Sequence, residues 1–112
     1  MKKKTNMIAL TDENFTHHVL ESTQPVLVKF GTNWSGSCHI MMSIIEGLAV
    51  KFSGKIKFCK LDVDRFPETT EMFDIRTIPT VLFFNHGRVA EQTTGVVSKN
   101  EVEDKLKTLL RQ

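Results

Sequence analysis

Residues 25–30 are the stretch that most limits how this chain can fold. They read Pro-Val-Leu-Val-Lys-Phe, an almost unbroken apolar run that only Lys29 interrupts. Such a run is typical of a central strand that is covered on both faces. After a loop over 31–36, apolar residues recur every three or four positions, which predicts a helix. The chain therefore places a strand-to-helix connection at the middle of a sheet.

The rest of the sequence continues this alternation. Strands are predicted over 7–10, 55–63, 80–84 and 88–94. Four helices are predicted. The first follows the N-cap Thr11, and the second runs from the loop at 36 to a stop at Gly54. The third covers 67–73, and the fourth begins at Ser98, the first residue of a Ser-x-x-Glu capping box. The early crossovers should be parallel, and the late hairpin, with Gly87 in its turn, antiparallel. The predicted fold class is α/β, a mixed central β-sheet flanked by helices on both faces.

Three of the predicted helices carry an apolar face. The first should bury Phe15, Val19 and Leu20, with Asp12 and Glu13 at its positive N-terminal end. The second should bury Ile40, Ile44, Ile45, Leu48, Ala49 and Phe52. The last should bury Val102, Leu106, Leu109 and Leu110.

The composition argues against several classes of protein. The 112 residues suit one domain, 1–112, and the net charge of +2 gives no reason to expect nucleic-acid binding. The run Lys2–Lys4 precedes too short an apolar stretch for a secretory signal, and no segment approaches the roughly 20 apolar residues of a membrane span. We therefore expect a cytoplasmic protein. Two cysteines are too few for a disulfide scaffold, and four scattered histidines predict no metal site.

The stretch from Phe30 to His39, Phe-Gly-Thr-Asn-Trp-Ser-Gly-Ser-Cys-His, carries the chemical information. A helix N-terminus offers free N–H groups and partial positive charge, so a thiol placed there ionises more easily and becomes a nucleophile. The stretch resembles the thioredoxin family, whose active site is Trp-Cys-Gly-Pro-Cys at the same strand-to-helix junction. Here the matching residues are Trp34, Ser35, Gly36, Ser37 and Cys38.

The resemblance covers nearly the whole chain. Residues 60–64, the segment 74–80 ending in Ile-Pro-Thr, the hairpin 85–87 and Gly95 all match family features. It implies a thioredoxin fold, a thiol–disulfide oxidoreductase role in cell redox homeostasis, and protein disulfide or thiol substrates. It also implies a thioredoxin reductase as a partner, no cofactor, and a monomer.

Ser35 stands where the family has its attacking cysteine. A hydroxyl does not ionise near pH 7 and forms no disulfide, so the two-step cycle is unavailable within this chain. Ser35 is either a natural divergence or an engineered substitution, and the sequence leaves both open. Cys38 matches only the resolving cysteine, and either reacts alone or is an inert, partly buried thiol. Cys59 is expected to be a small core residue.

The segment Ile78-Pro79 resembles the family's cis-proline site, where the backbone before the proline pairs with an extended substrate. By this resemblance, a shallow apolar docking surface is bordered by Trp34, Gly36, Ile78, Pro79, Gly95 and Val96.

Lys29 is a second departure, because the family has a buried Asp at this position, beneath its cysteines. Lys60 matches the lysine beside that Asp, so two lysines replace a carboxylate–lysine pair. Like charges in a poorly solvated site lower an amine pKa. Alternatively, Lys29 reaches water along its aliphatic stem. A nearby ammonium would favour a Cys38 thiolate, whereas His39 is expected to be exposed.

Three functions follow as hypotheses. The chain is a thioredoxin-family oxidoreductase, disabled or working through Cys38 alone; a binding module for extended peptides or cysteine-bearing partners; or a scaffold subunit. Ser35 favours the second, whereas Trp34, Cys38 and Ile78-Pro79 favour the first. We expect a thioredoxin-like protein of the oxidoreductase family, with a non-catalytic binding module as the alternative.

Overall fold

The predicted order of elements is confirmed by a computed structural model, which describes residues 7–112. The strands are β1 Ile8–Ala9, β2 Val26–Gly31, β3 Lys57–Asp62, β4 Thr80–Asn85 and β5 Arg88–Thr94. The helices are α1 Gly36–Lys51, α2 Pro67–Met72 and α3 Lys99–Arg111, and a π-helical segment covers Thr16–Leu20. The lysine run Lys2–Lys4 lies outside the described residues.

The five strands form one mixed sheet in the order β1-β3-β2-β4-β5. β3 pairs in parallel with β1 and β2, whereas β4 pairs antiparallel with β2 and β5. β2 lies at the centre and all six of its residues are buried, as its apolar run predicts. Its register sets Lys29 directly beside Lys60 of β3. The parallel strands β2 and β3 thus end at the same edge of the sheet.

Apolar clusters cover both faces of the sheet, so the predicted layering is confirmed. The first, here the α1/α3 cluster, joins Leu27, Val81 and Phe83 of the sheet to Met41, Ile45 and Leu48 of α1 and to Val102, Leu106 and Leu109 of α3. The second, the opposite cluster, is built on Val26, Val28, Phe30, Leu82 and Phe84, with Phe15 and Val19 packed on them. Full burial of one such side chain contributes about 1.5–3 kcal/mol.

Two residues of the predicted helix faces are exposed instead. In α1, Ile40 is 54% exposed, and the neighbouring Met41 is fully buried. In α3, Leu110 is 39% exposed, whereas Leu109 is buried. Each helix packs along a narrow stripe at i, i+4 and i+7, and a residue one position off that stripe is rotated by about 100°. Sequence spacing did not show which of two adjacent apolar residues lies on the stripe.

The first helix is shorter and less regular than predicted. Thr11 makes the expected capping contact, because its Oγ1 accepts a hydrogen bond from the Asn14 N–H at 3.0 Å. Asn14 Oδ1 accepts in return from the Thr11 N–H at 2.7 Å. The regular π-helical segment begins only at Thr16. It still buries Val19 in the opposite cluster.

Asp12 does not serve the helix to which the sequence assigned it. Its carboxylate accepts hydrogen bonds from the N–H groups of Thr69, at 2.9 Å, and Glu68, at 3.3 Å. Both donors are in α2, whose N-terminal N–H groups have no partner within the helix. Asp12 therefore links the segment before the π-helix to the N-terminus of α2 through hydrogen bonds.

The β4–β5 turn needs a glycine at position 87. His86 and Gly87 have φ angles of 54° and 77°, the left-handed pair typical of a tight hairpin turn. A Cβ on Gly87 would also lie 2.6 Å from the carbonyl oxygen of Leu20. The turn thus packs closely on the end of the π-helical segment.

Candidate functional site

Ser35 is the N-cap of α1. Its backbone is extended, and its Oγ accepts a hydrogen bond from the Cys38 N–H at 3.2 Å. This is the usual contact of a serine N-cap, which satisfies one of the free N–H groups of the first turn. The position at which the family resemblance predicts an attacking thiol therefore holds a hydroxyl that caps the helix.

Cys38 lies one turn into α1, is only 1% exposed and lines a pocket beside the helix. Gly31 makes room for it. A Cβ at Gly31 would lie 2.7 Å from Cys38 Sγ and 3.2 Å from Lys29 Nζ. The absence of a side chain at Gly31 thus lets the thiol and the amine approach the same point.

Cys59, the other cysteine, is a core residue, as predicted. It is fully buried in β3 and belongs to the opposite cluster. Burial raises the pKa of its thiol to about 12, and the charge of Lys57 opposes this only in part. Cys59 is therefore a neutral thiol near pH 7, without the ionisation that reactivity requires.

Lys29 is buried, with 6% of its surface exposed. The pKa of its amine lies below the ordinary 10.5, and burial is the main cause, rather than the repulsion between two lysines expected from the sequence. The charge of Lys60 lowers this pKa further, whereas Cys38, Asp62 and Glu46 act in the opposite direction. Lys60 itself is exposed. The two amines lie on the same face because they are paired in register.

Trp34 is 73% exposed, and its indole N–H donates to Asp64 Oδ2 at 2.8 Å. His39 is exposed, as expected, and its Nε2 lies 2.6 Å from the carbonyl oxygen of Asn33. A carbonyl oxygen only accepts, so Nε2 carries the proton in this contact. Both contacts hold the loop before α1.

The Ile78–Pro79 peptide bond is cis. The carbonyl oxygen of Pro79 accepts from the Gly95 N–H at 2.8 Å, which joins the start of β4 to the residue after β5. Val96 is exposed, and the next residue, Val97, donates its N–H to the sulfur of Met41 at 3.4 Å. The segment after β5 therefore lies against α1.

The structure thus brings Pro79, Gly95 and the 96–97 segment together beside α1. Gly36 and Ser37, in the first turn, are exposed. Among the described residues, no hydrogen bond links Trp34 to this group, and its polar contact is with Asp64. The docking surface that the family resemblance implies therefore stays a prediction.

Several site residues were not found from the sequence. Asp62, Asp64 and Arg65 follow the apolar part of β3, and Gly31 and Asn33 follow β2. Because these parallel strands end at one edge, both sets of residues meet at the start of α1. The charged residues at the end of β3 could have indicated the site from the sequence. Binding sites in α/β sheets lie at the carboxyl ends of the strands.

Among residues 7–112, no group of three or more His, Cys, Asp or Glu side chains is placed to hold a metal ion. No helix in the same part of the chain has both the length and the apolar character needed to cross a bilayer.

Comparison with known proteins matches residues 6–108 to the Thioredoxin family model. The chain is 38% identical over 104 residues to a thioredoxin of Alicyclobacillus acidocaldarius, covering 93% of this chain and 98% of that protein. It is 40% identical over 96 residues to thioredoxin 2 of Chlorobaculum tepidum, covering 86% and 88%. It is 39% identical over 101 residues to the chloroplastic thioredoxin M-type of spinach, covering 90% of this chain but 56% of that protein. The chain thus spans about half the length of the chloroplastic relatives.

Proposed function

The chain belongs to the thioredoxin family, and on that premise we propose that it engages protein thiols or disulfides at the start of α1 without completing a two-step disulfide reduction. The observation that carries this proposal is the pair Ser35 and Cys38. Ser35 caps the helix with a hydroxyl, and Cys38 is 1% exposed. The single thiol of the site is thus shielded, and the half-buried cap position 35 holds no thiol.

The chemistry of disulfide exchange explains why one thiol is insufficient. A thiolate attacks one sulfur of a substrate disulfide, forms a mixed disulfide and expels the other sulfur as a thiol. A second thiolate of the protein must then attack the mixed disulfide to release the reduced substrate. If Cys38 takes the first step, the chain offers only Cys59 for the second, and Cys59 is buried in β3. The reaction therefore stops at a mixed disulfide.

The partner we propose is an extended, cysteine-bearing protein segment. In the family, the backbone before the cis-proline pairs with such a segment, and Ile78 and Pro79 are the matching residues here. The proposed docking surface is bordered by Trp34, Gly36, Ile78, Pro79, Gly95 and Val96. We further propose a cytoplasmic monomer, with a thioredoxin reductase as electron donor for any form with two thiols.

Reduction of insulin with dithiothreitol as electron source tests the proposal. We expect Ser35→Cys to accelerate insulin precipitation, because it supplies the attacking thiol, and the unaltered chain to stay at the dithiothreitol background. Ser98→Cys is the matched control, since it puts a thiol at the N-cap of α3 with no cysteine three residues later. Insulin reduction by the unaltered chain as fast as by Ser35→Cys, with both above the dithiothreitol background, would refute the proposal.

The second candidate is a binding module that docks cysteine-bearing segments without any redox step. The Ser35 cap favours it, because the hydroxyl stabilises α1 whether or not chemistry occurs. If Ser35→Cys and the unaltered chain are both inactive, Lys29 and its surroundings have also diverged from a working site. The binding module is then the better conclusion.

A further inference from the structure

A pocket of about 260 Å³ opens beside the first turns of α1. Its walls come from the carboxyl ends of β2 and β3, from α1 and from the turn after β3. Its polar lining includes Lys29, Lys60, Arg65, His39, Asp62 and Cys38. Asp62 supplies the single carboxylate of the lining, against the three basic side chains of Lys29, Lys60 and Arg65. The pocket is therefore electropositive.

Lys29 is the residue that points to a ligand. It is more than nine-tenths buried, and its amine has no hydrogen-bond or ion-pair partner among residues 7–112. Its side chain lines the pocket, so the little surface it keeps faces that space. An ammonium that has lost most of its contact with water and has no partner is costly, and charges in such places are normally paired. An anion in the pocket would supply that pairing.

The carboxylate of Asp62 balances these charges only in part, since burial keeps the pKa of Lys29 below its ordinary value although Asp62 and Glu46 both act to raise it. Its Oδ1 already accepts from the Asp64 N–H at 3.0 Å, and no ion pair joins it to Lys29 or Lys60 among the described residues. Lys60 stands next to Lys29 in the β2–β3 ladder. Two ammonium groups on adjacent strands repel each other, and a ligand with negative charge between them would relieve the repulsion.

The volume of the pocket and its apolar lining residues indicate that the ligand has an apolar part besides its anionic group. One water needs a cavity of only about 10–15 Å³ by this measure, so a pocket of about 260 Å³ has room for more than a bare oxyanion. Met42 and Phe66 line the same pocket and offer apolar contact. Lysine and arginine are the usual partners of phosphate oxygens.

We propose that this pocket binds a small phosphate-bearing molecule, with Lys29 and Lys60 holding the oxyanion and Met42 and Phe66 contacting its apolar body. The pocket shares Cys38 with the site of the proposed function, but the proposal is carried by its basic residues and does not rest on the proposed redox role.

Amide NMR titrations test this inference, with inorganic phosphate and phenyl phosphate as probes at constant ionic strength. We expect saturable shifts at Gly31, Thr32 and Cys38. Lys29→Met and Lys60→Met should each weaken binding about tenfold, the loss typical of one charge-assisted hydrogen bond. Lys55→Met is the matched control, because Lys55 is exposed and lies outside the pocket lining, and its affinity should be unchanged.

The outcomes are distinct. If phenyl phosphate binds more tightly than inorganic phosphate, the ligand is an organic phosphate. If both probes bind equally, the same pocket is an anion site for inorganic phosphate. Lys60→Met keeps the test valid if Lys29→Met folds poorly, because Lys60 is exposed. Absence of saturable shifts, or affinities of the Lys29 and Lys60 variants equal to that of Lys55→Met, would overturn the proposal.

Discussion

At the scale of single residues, Lys29 is in the least usual environment for its type. The family resemblance predicts an acidic residue at this position. Lys29 lies in the central strand of the sheet, beside Lys60. Burial lowers the pKa of its amine, so protonation of Lys29 opposes folding. The fold tolerates this because the rest of β2 is apolar and packed on both faces.

Lys29→Met should therefore stabilise the protein near neutral pH. The unfolded chain binds a proton at Lys29 up to its ordinary pKa of 10.5, whereas the folded chain releases it at lower pH. Between the lowered pKa of the folded chain and 10.5, the free energy of unfolding of the unaltered chain should rise with pH. The difference in this free energy between Lys29→Met and the unaltered chain should shrink over the same range. Urea unfolding of both proteins at several pH values between 7 and 10 measures this. A constant difference across that range would contradict the prediction.

At the scale of elements, α1 carries the site. Ser35 caps its first turn, Met41, Ile45 and Leu48 bury its packing stripe, and Lys51 in its last turn donates to Glu103 of α3. This hydrogen bond is the main cause that lowers the pKa of Glu103. α1 is therefore held at both ends and along one face, which fixes Cys38 against the sheet.

Ser35→Ala should lower the free energy of unfolding by about 1 kcal/mol, the usual cost of losing a serine N-cap. Ser98→Ala provides the comparison, because Ser98 caps α3 in the same way, with its Oγ accepting from the Glu101 N–H at 3.1 Å. Chemical denaturation followed by circular dichroism gives both values. Loss of stability in Ser98→Ala alone would mean that the Ser35 hydroxyl does not stabilise α1.

At the scale of the whole molecule, one sheet separates two apolar clusters. Neighbouring residues of β2, such as Leu27 and Val28, belong to opposite clusters, so neither cluster can lose its packing without disturbing the central strand. Small single domains with such shared elements usually unfold in one step. The predicted single domain should therefore behave as one cooperative unit.

Leu106→Ala in the α1/α3 cluster and Leu82→Ala in the opposite cluster should each cost about 2–5 kcal/mol and shift the same thermal transition. Leu110→Ala, on the exposed side of α3, is the control and should change stability little. Differential scanning calorimetry measures the transitions and their enthalpies. Two separate transitions, each sensitive to one variant, would show that the clusters are independent.

The sequence was sufficient for the order of elements, the mixed sheet and the family. These follow from local patterns: the apolar run of β2, the turn residues around Gly87, the Ser98 capping box and the motif ending at Cys38. By resemblance to that motif, the sequence also predicts that Ser35 stands at the position of the attacking thiol. Such features depend on residues a few positions apart.

Tertiary structure alone decided which of Ile40 and Met41 is buried, that Asp12 caps α2, and that Trp34 bonds Asp64. It alone showed the pocket in which Lys29 faces Cys38 past Gly31. The physical reason is that each of these depends on the packing of elements against one another. Periodicity gives the general direction of a helix face, but only packing sets its rotation, the burial of a charge and the contacts between parts of the chain about thirty or more positions apart.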